Sequence, residues 1–139
     1  MILHKGKYLD LISEDDWEYV KRNNCNGIVV IVAMTKEHEV LFVEQFRRPV
    51  AAQVIEWPAG LVNDKNTHGK ETMETAARRE LLEETGYEAE HLSRLVEGPV
   101  SSGLSQEIIT FYQALDVLKK HDGGGDHTES IIVHKVPLK

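Results

Sequence analysis

The chain predicts an α/β fold in which a helix covers a mixed sheet, and three features of the sequence carry that expectation. A continuous β-branched run at residues 27–34 reads as a strand buried on both faces, apolar residues recur at helical spacing from Thr72, and further strand-like segments follow that helix. Strands, then one helix, then more strands form the pattern of a mixed sheet with helical cover.

Taken in order, residues 3–12 read as a weak strand, and 17–21 as a second short extended piece after a turn at 13–16. Residues 40–45 are the expected hairpin partner of 27–34 across a turn at 35–39, and 54–57 is a short strand leading into the turn residues Pro58, Ala59 and Gly60. A helix is expected over 72–85, where Met73, Ala76, Ala77, Leu81 and Leu82 keep helical spacing and Gly86 supplies a left-handed stop. Residues 92–97, 108–115 and 131–136 read as later strands, and 122–126, with Gly123, Gly124 and Gly125, as a flexible loop.

With 139 residues the chain is expected to form one domain, residues 1–139, and 41% hydrophobic with 28% charged residues is ordinary for a soluble globular protein. A net charge of -7 argues against a nucleic-acid backbone or an anionic membrane as the main partner, because both select basic surfaces. Small anions stay possible where local cations or a metal receive them. The longest apolar run, 28–34, is far too short to span a bilayer and the N-terminus lacks a secretory apolar core, so the expected location is the cytoplasm. Cys25 is the single cysteine and permits no internal disulfide.

The helix carries the chemistry. Glu80, Glu83 and Glu84 stand at i, i+3 and i+4 and share one face, while Met73, Ala77 and Leu81 share another. Arg79 precedes Glu83 by four residues, close enough to pair with it and orient it, which leaves Glu80 and Glu84 crowded together. Such oxygen ligands suit a hard ion, Mg²⁺ or Mn²⁺. A solvated acidic face is the bland alternative, since exposed like charges four apart cost only about 0.2 to 0.5 kcal/mol each. The conjunction of the cluster with Arg79, the stop at Gly86 and the turn at 57–60 favours the metal. The seven histidines show no paired-ligand spacing, and His127 beside Asp126 reads as loop surface.

Glu71, Arg79, Glu80, Leu81, Glu83, Glu84, Gly86 and Tyr87 together resemble the Nudix box: a Gly, five residues, a Glu, seven residues, then Arg-Glu-apolar-x-Glu-Glu-x-Gly-apolar. There is one departure. The opening Gly falls at Lys65, and Gly60 is the nearest equivalent, which implies about five extra residues within 61–70, a stretch made loop-like by Asn63, Asp64, Asn66 and Gly69. The resemblance implies the Nudix fold, a mixed β-sheet sandwiched between α-helices, here with an N-terminal β-strand extension over residues 1–22. Members of that family usually continue into a second helix over the other sheet face. Here the sequence stops just after the last expected strand, so either another subunit covers that face or the sequence is incomplete.

Residues 17–22, 44–47, 56–60 and 102–105 further resemble, in order, segments of the ADP-ribose and nucleoside-diphosphate-sugar pyrophosphatase branch. That branch implies Mg²⁺-dependent (or Mn²⁺-dependent) hydrolysis of the pyrophosphate of a small nucleoside diphosphate sugar by a homodimer. Carried over residue by residue, Trp17 stacks on the base, often across the dimer interface, Arg22 and Arg47 grip phosphate oxygens with their guanidinium forks, and Gly103 and Leu104 lie on the substrate side. Glu56 matches a substrate-side or metal-side acid. Ala59 presents its carbonyl to a metal held by Glu80, Glu83 and Glu84, Gly60 permits close backbone approach, and Glu71 with Arg79 orients the cluster. Glu83 and Glu84 are then catalytic, as is Glu129, which in a glycine-rich lid before the last strand swings in to orient or deprotonate the attacking water. Against these stand plainer roles: Trp17 as an anchor of the N-terminal strands, Glu56 as structural, Arg48 and Glu129 as surface charges, and Glu107 as a competing acid. The alternatives in function are a dinucleotide or nucleoside triphosphate hydrolase, or a non-hydrolysing nucleotide sensor. Retention of the box carboxylates favours hydrolysis.

Overall fold

The computed structural model describes residues 1–64 and 70–139, arranged as two sheets and one α-helix. Strands β1 (Ile2–Lys5), β2 (Leu9–Glu14) and β3 (Trp17–Arg22) form an antiparallel meander. The single strand expected over 3–12 is therefore two, because a turn at Gly6, whose N–H donates to the Leu9 carbonyl at 2.9 Å, folds the segment back on itself. Asp15 and Asp16 close the β2–β3 hairpin with φ of 49° and 61°, the paired left-handed geometry that matches strand twist.

The second sheet holds β4 (Gly27–Thr35), β5 (Glu39–Arg47), β6 (Ala52–Glu56), β7 (Ala59–Val62), β8 (Tyr87–Glu88), β9 (Ser93–Pro99), β10 (Ile108–Lys119) and β11 (Ile132–Pro137). Parallel pairing of β4 with β10, from Ile28↔Ile109 to Ala33↔Ala114, makes it mixed. On one face of β4 Val29, Ile31 and Ala33 are fully buried, while on the other only Val30 is buried and Ile28, Val32 and Met34 are partly exposed, so the burial on both faces expected of the run holds for one face only. The expected hairpin of β4 with β5 shrinks to the pair Met34↔Val40. Beyond it the strands part: the first half of β4 takes β7 as neighbour, and the far end of β5 takes β6.

Helix α1 (Met73–Thr85) begins one residue inside the expected range because Thr72 is its N-cap, accepting a hydrogen bond from the Thr75 amide at 3.1 Å. Gly86, at φ 77°, ends it with an N–H bonded to the Leu82 carbonyl. Ala76, Ala77 and Leu81 share one buried cluster with Val29, Ile31, Leu41, Val62 and Tyr87, and the helix lies against β4, β5, β7 and β8. One sheet face is thus covered. On β5, Leu41 and Val43 are buried, whereas Phe46, and Ile55 and Ile132 opposite Glu44, are more than half exposed on the other face. The second helix of the expected sandwich is not among the described residues.

Candidate active site

Arg79 organises the acidic helix. Its Nε and Nη2 grip both oxygens of Glu71 at 2.7 and 3.1 Å, its Nη1 donates to Glu80 at 2.7 Å and to Glu83 at 3.4 Å, and its Nη2 also reaches the Leu61 carbonyl at 3.1 Å. The expected pairing with Glu83 is present but is the longest of these ion pairs within the box. Glu71 and Glu80 take the guanidinium more closely. Glu71 is itself fixed by Asn63, each residue donating its amide N–H to the other's side-chain oxygen at 3.0 Å. This reciprocal clasp closes the loop between β7 and α1, and the sequence showed Asn63 only as a turn former. Residues 65–69, in the middle of the stretch 61–70 expected to hold the extra residues, lie outside the described residues.

Glu80 and Glu84 are buried, 7% and 2% exposed, so a solvated acidic face does not describe them. The Ala59 amide donates to Glu84 Oε2 at 3.0 Å. Gly60 lies so close to the helix that a Cβ there would sit 1.9 Å from the Glu80 carboxyl carbon, which explains why this position of β7 carries no side chain. Burial pushes the Glu80 carboxyl up to about 7 against the pull of Arg79, and Glu84 up to about 8 against the Ala59 amide, with Glu80 and Glu129 adding repulsion.

These side chains open onto a cleft of about 310 Å³. Arg22, Arg47, Glu80, Glu84 and Glu129 all line it, together with Ala59 and Gly60 at the strand edge. Gln45 and Asp64 line it as well, and neither stood out in the sequence, because a lone amide or acid in a polar stretch carries no pattern. Both arginines are held by carboxylates: Arg47 Nε donates to Glu56 at 2.7 Å and Arg22 Nε to Glu107 at 2.6 Å. Glu107 therefore stands with Arg22 in a neighbouring cavity of about 260 Å³, beside Gln106 and Thr110, and not among the residues lining the cleft.

Other expected residues lie elsewhere. Trp17 is 61% exposed and donates its indole N–H to the Gly103 carbonyl at 2.9 Å, while the Leu104 carbonyl accepts from the Val20 amide at 2.8 Å. Trp17, Gly103 and Leu104 thus make one group that docks the N-terminal sheet and does not line the cleft. Arg48 opens an exposed turn after β5, and His127 is exposed.

Among the described residues no three His, Cys, Asp or Glu side chains are gathered closely enough to hold one ion. Glu80 and Glu84 face the cleft, whereas Glu83 reaches toward Arg79. The donor set still fits a hard cation, since both cleft carboxylates are buried oxygen ligands and, among the described residues, Glu84 has no cation in ion-pair range. No helix among the described residues is long and apolar enough to cross a membrane.

Residues 26–133 match the NUDIX domain family. The chain is 39% identical over 99 residues to the methanol dehydrogenase activator of Bacillus methanolicus, covering 71% of this chain and 51% of that protein. It is 36% identical over 126 residues to the ADP-ribose pyrophosphatase of Bacillus subtilis (strain 168), covering 85% of this chain and 65% of that one. The chain thus spans between about half and two thirds of the length of these relatives. A crystal structure described as an ADP compounds hydrolase shares the fold with a TM-score of 0.76, at 18% identity over 99% of this chain and 75% of the other. With Glu71, Glu80 and Glu83 of the box gathered around Arg79 and the family match running from β4 to β11, the chain belongs to the NUDIX family.

Proposed function

We propose that the chain is a Nudix hydrolase that cleaves the pyrophosphate bond of ADP-ribose or a related nucleoside diphosphate sugar, giving a nucleoside monophosphate and a sugar phosphate. The observation that carries this reading is the sharing of one cleft by two guanidinium groups, Arg22 and Arg47, and two buried carboxylates, Glu80 and Glu84. A diphosphate supplies the anionic oxygens that the guanidinium forks fit. A hard cation, Mg²⁺ or Mn²⁺, held by Glu80 and Glu84 with Glu83 and the Ala59 carbonyl, supplies neutralisation of the phosphoryl oxygens and Lewis acidity when bound.

The chain's own residues do the rest. Arg47 and Arg22, oriented by Glu56 and Glu107, clamp the two phosphates and hold phosphorus in line with a water. Glu129 takes the proton of that water as its oxygen bonds to phosphorus, the bridging P–O bond breaks, and the bridging oxygen leaves on the other phosphate. Glu71 and Arg79 keep Glu80 in place.

Trp17 stacks on the base. Because it stands apart from the cleft of its own chain and is exposed, as are Ile2, Leu3 and Tyr8 elsewhere on the N-terminal sheet, we assign it to the cleft of a second copy in a homodimer joined through the N-terminal strands. Residues 1–139 then act as one catalytic domain, in the cytoplasm, on a small-molecule substrate and without nucleic-acid or membrane partners, in keeping with the net charge of -7.

Incubation with Mg²⁺ and a panel of ADP-ribose, GDP- and UDP-sugars, dinucleotides and triphosphates, resolved by chromatography, tests the reading. Nucleoside monophosphate and sugar phosphate are expected from the sugar nucleotides. Turnover of dinucleotides or triphosphates alone moves the chain to another substrate class, and binding with no product overturns hydrolysis.

A further inference from the structure

The glycine run before β11 is bonded to the acidic helix. The Gly125 amide donates to the Glu83 carbonyl at 3.0 Å and the Gly124 amide to the Glu84 carbonyl at 2.9 Å. These are carbonyls of the last helical turn, which have no partner within the helix, so the loop closes the end of α1 with its backbone. One turn further on, Asp126 Oδ1 accepts from the Thr128 amide at 2.8 Å and its hydroxyl at 2.6 Å, and the Glu129 amide donates to the Asp126 carbonyl at 3.2 Å. The Ile131 amide returns to the Gly124 carbonyl at 3.3 Å. A backbone path thus runs from the carbonyls of two box glutamates to Glu129.

The end of that path is packed against Gly125. A Cβ at Gly125 would lie 2.7 Å from Glu129 Oε2, 2.9 Å from Glu129 Cβ and 3.0 Å from Ile131 Cδ1. A carboxylate oxygen at the tip of a side chain can rotate away, but Glu129 Cβ moves only with its backbone. Gly125 also holds φ at 82°, where a side chain is strained.

We propose that Gly125 is a positioning residue: its bare α-carbon is the seat on which Glu129 rests, and its amide keys that seat to the helix bearing Glu83 and Glu84. Glu129 lines the cleft in this arrangement. The consequence for turnover rests on the hydrolytic reading of the same cleft.

Steady-state kinetics on wild type, Gly125→Ala, Glu129→Gln and the double variant test it. Gly125→Ala is expected to lower kcat by about the factor that Glu129→Gln does, on the order of 10²-fold for loss of a proton acceptor, with KM within about twofold and no further loss in the double variant. Wild-type kcat in Gly125→Ala, or losses that multiply in the double variant as for a merely structural defect, overturns the proposal. Crystal structures of wild type and Gly125→Ala decide it without turnover: Glu129 is expected to leave the cleft in the variant, and a Glu129 that keeps its place overturns the seat. A wild type that hydrolyses nothing overturns the proposed function, while the two crystal structures still decide the role of Gly125.

Discussion

The cleft beneath α1 and the N-terminal sheet meet at Arg22, yet they are built in opposite ways. Around the cleft the box acids are tied down: Glu71 and Glu80 by Arg79, Glu84 by the Ala59 amide, and Glu80 is pressed against Gly60 within van der Waals reach. The N-terminal sheet instead leaves Ile2, Tyr8 and Trp17 more than half exposed and touches the body through a short parallel bridge at Val20 and Ser105, the Trp17 indole and the Arg22–Glu107 pair. Rigid, buried groups suit chemistry that depends on fixed geometry, and exposed amphipathic ones suit recognition. On the proposed function, the difference separates the residues that set turnover from those that set affinity.

The sharpest break of that division is Glu84→Gln, which keeps the shape of the side chain and removes its charge. It should lower kcat by about 10³-fold with the fold intact, as circular dichroism would verify, and near-wild-type turnover would remove Glu84 from the chemistry. Gly60→Ala should follow. Its Cβ would collide with the Glu80 carboxyl carbon at 1.9 Å, and overpacking of this kind typically costs about 1 to 3 kcal/mol, so both turnover and the denaturation midpoint should fall.

The pH dependence of stability without metal is the next contrast. Glu80 and Glu84 rise from 4.5 to about 7 and about 8 on folding, so the native state binds more protons than the unfolded chain across that window. Their contribution is complete below the unfolded value and is lost as pH climbs through the folded ones. Melting in chelator should show wild type losing stability relative to Glu84→Gln as pH rises from about 5 to about 8.5, and parallel curves would contradict the burial argument. On the recognition side, Trp17→Ala should raise KM about tenfold and leave kcat nearly unchanged. An equal fall in kcat would place Trp17 with the chemistry.

The helix that bears the acids was legible because its local signals are strong: apolar spacing, three glutamates sharing one face and a Gly86 stop. What the sequence hid was the other wall. Pro58 and Gly60 read as a turn, yet Gly60 is a strand residue, and only the placement of β7 against α1 reveals that the close approach expected of it is to Glu80. Burial of Glu80 and Glu84 was hidden for a related reason, since charge in a helix normally predicts solvent and only the strand above it removes the water. The glycines at 123–125 read as a flexible loop in the sequence, which does not reveal that their backbone closes the end of α1. The carbonyls of Glu83 and Glu84 that engage them lie about 40 residues away in sequence, beyond any local pattern. Trp17 and Arg47 were legible as residue types, but their separation in space follows from the docking of a sheet that no periodicity specifies.

The central claim is that Glu80 and Glu84 face a hard cation beside a bound diphosphate. A crystal grown with Mn²⁺ and an uncleavable nucleoside diphosphate sugar analogue tests it directly through the anomalous signal of the metal. A peak at about 2.1 to 2.2 Å from carboxylate oxygens of both residues and from a phosphate oxygen is the predicted result. Analogue bound in the cleft with no metal peak near either carboxylate would contradict it.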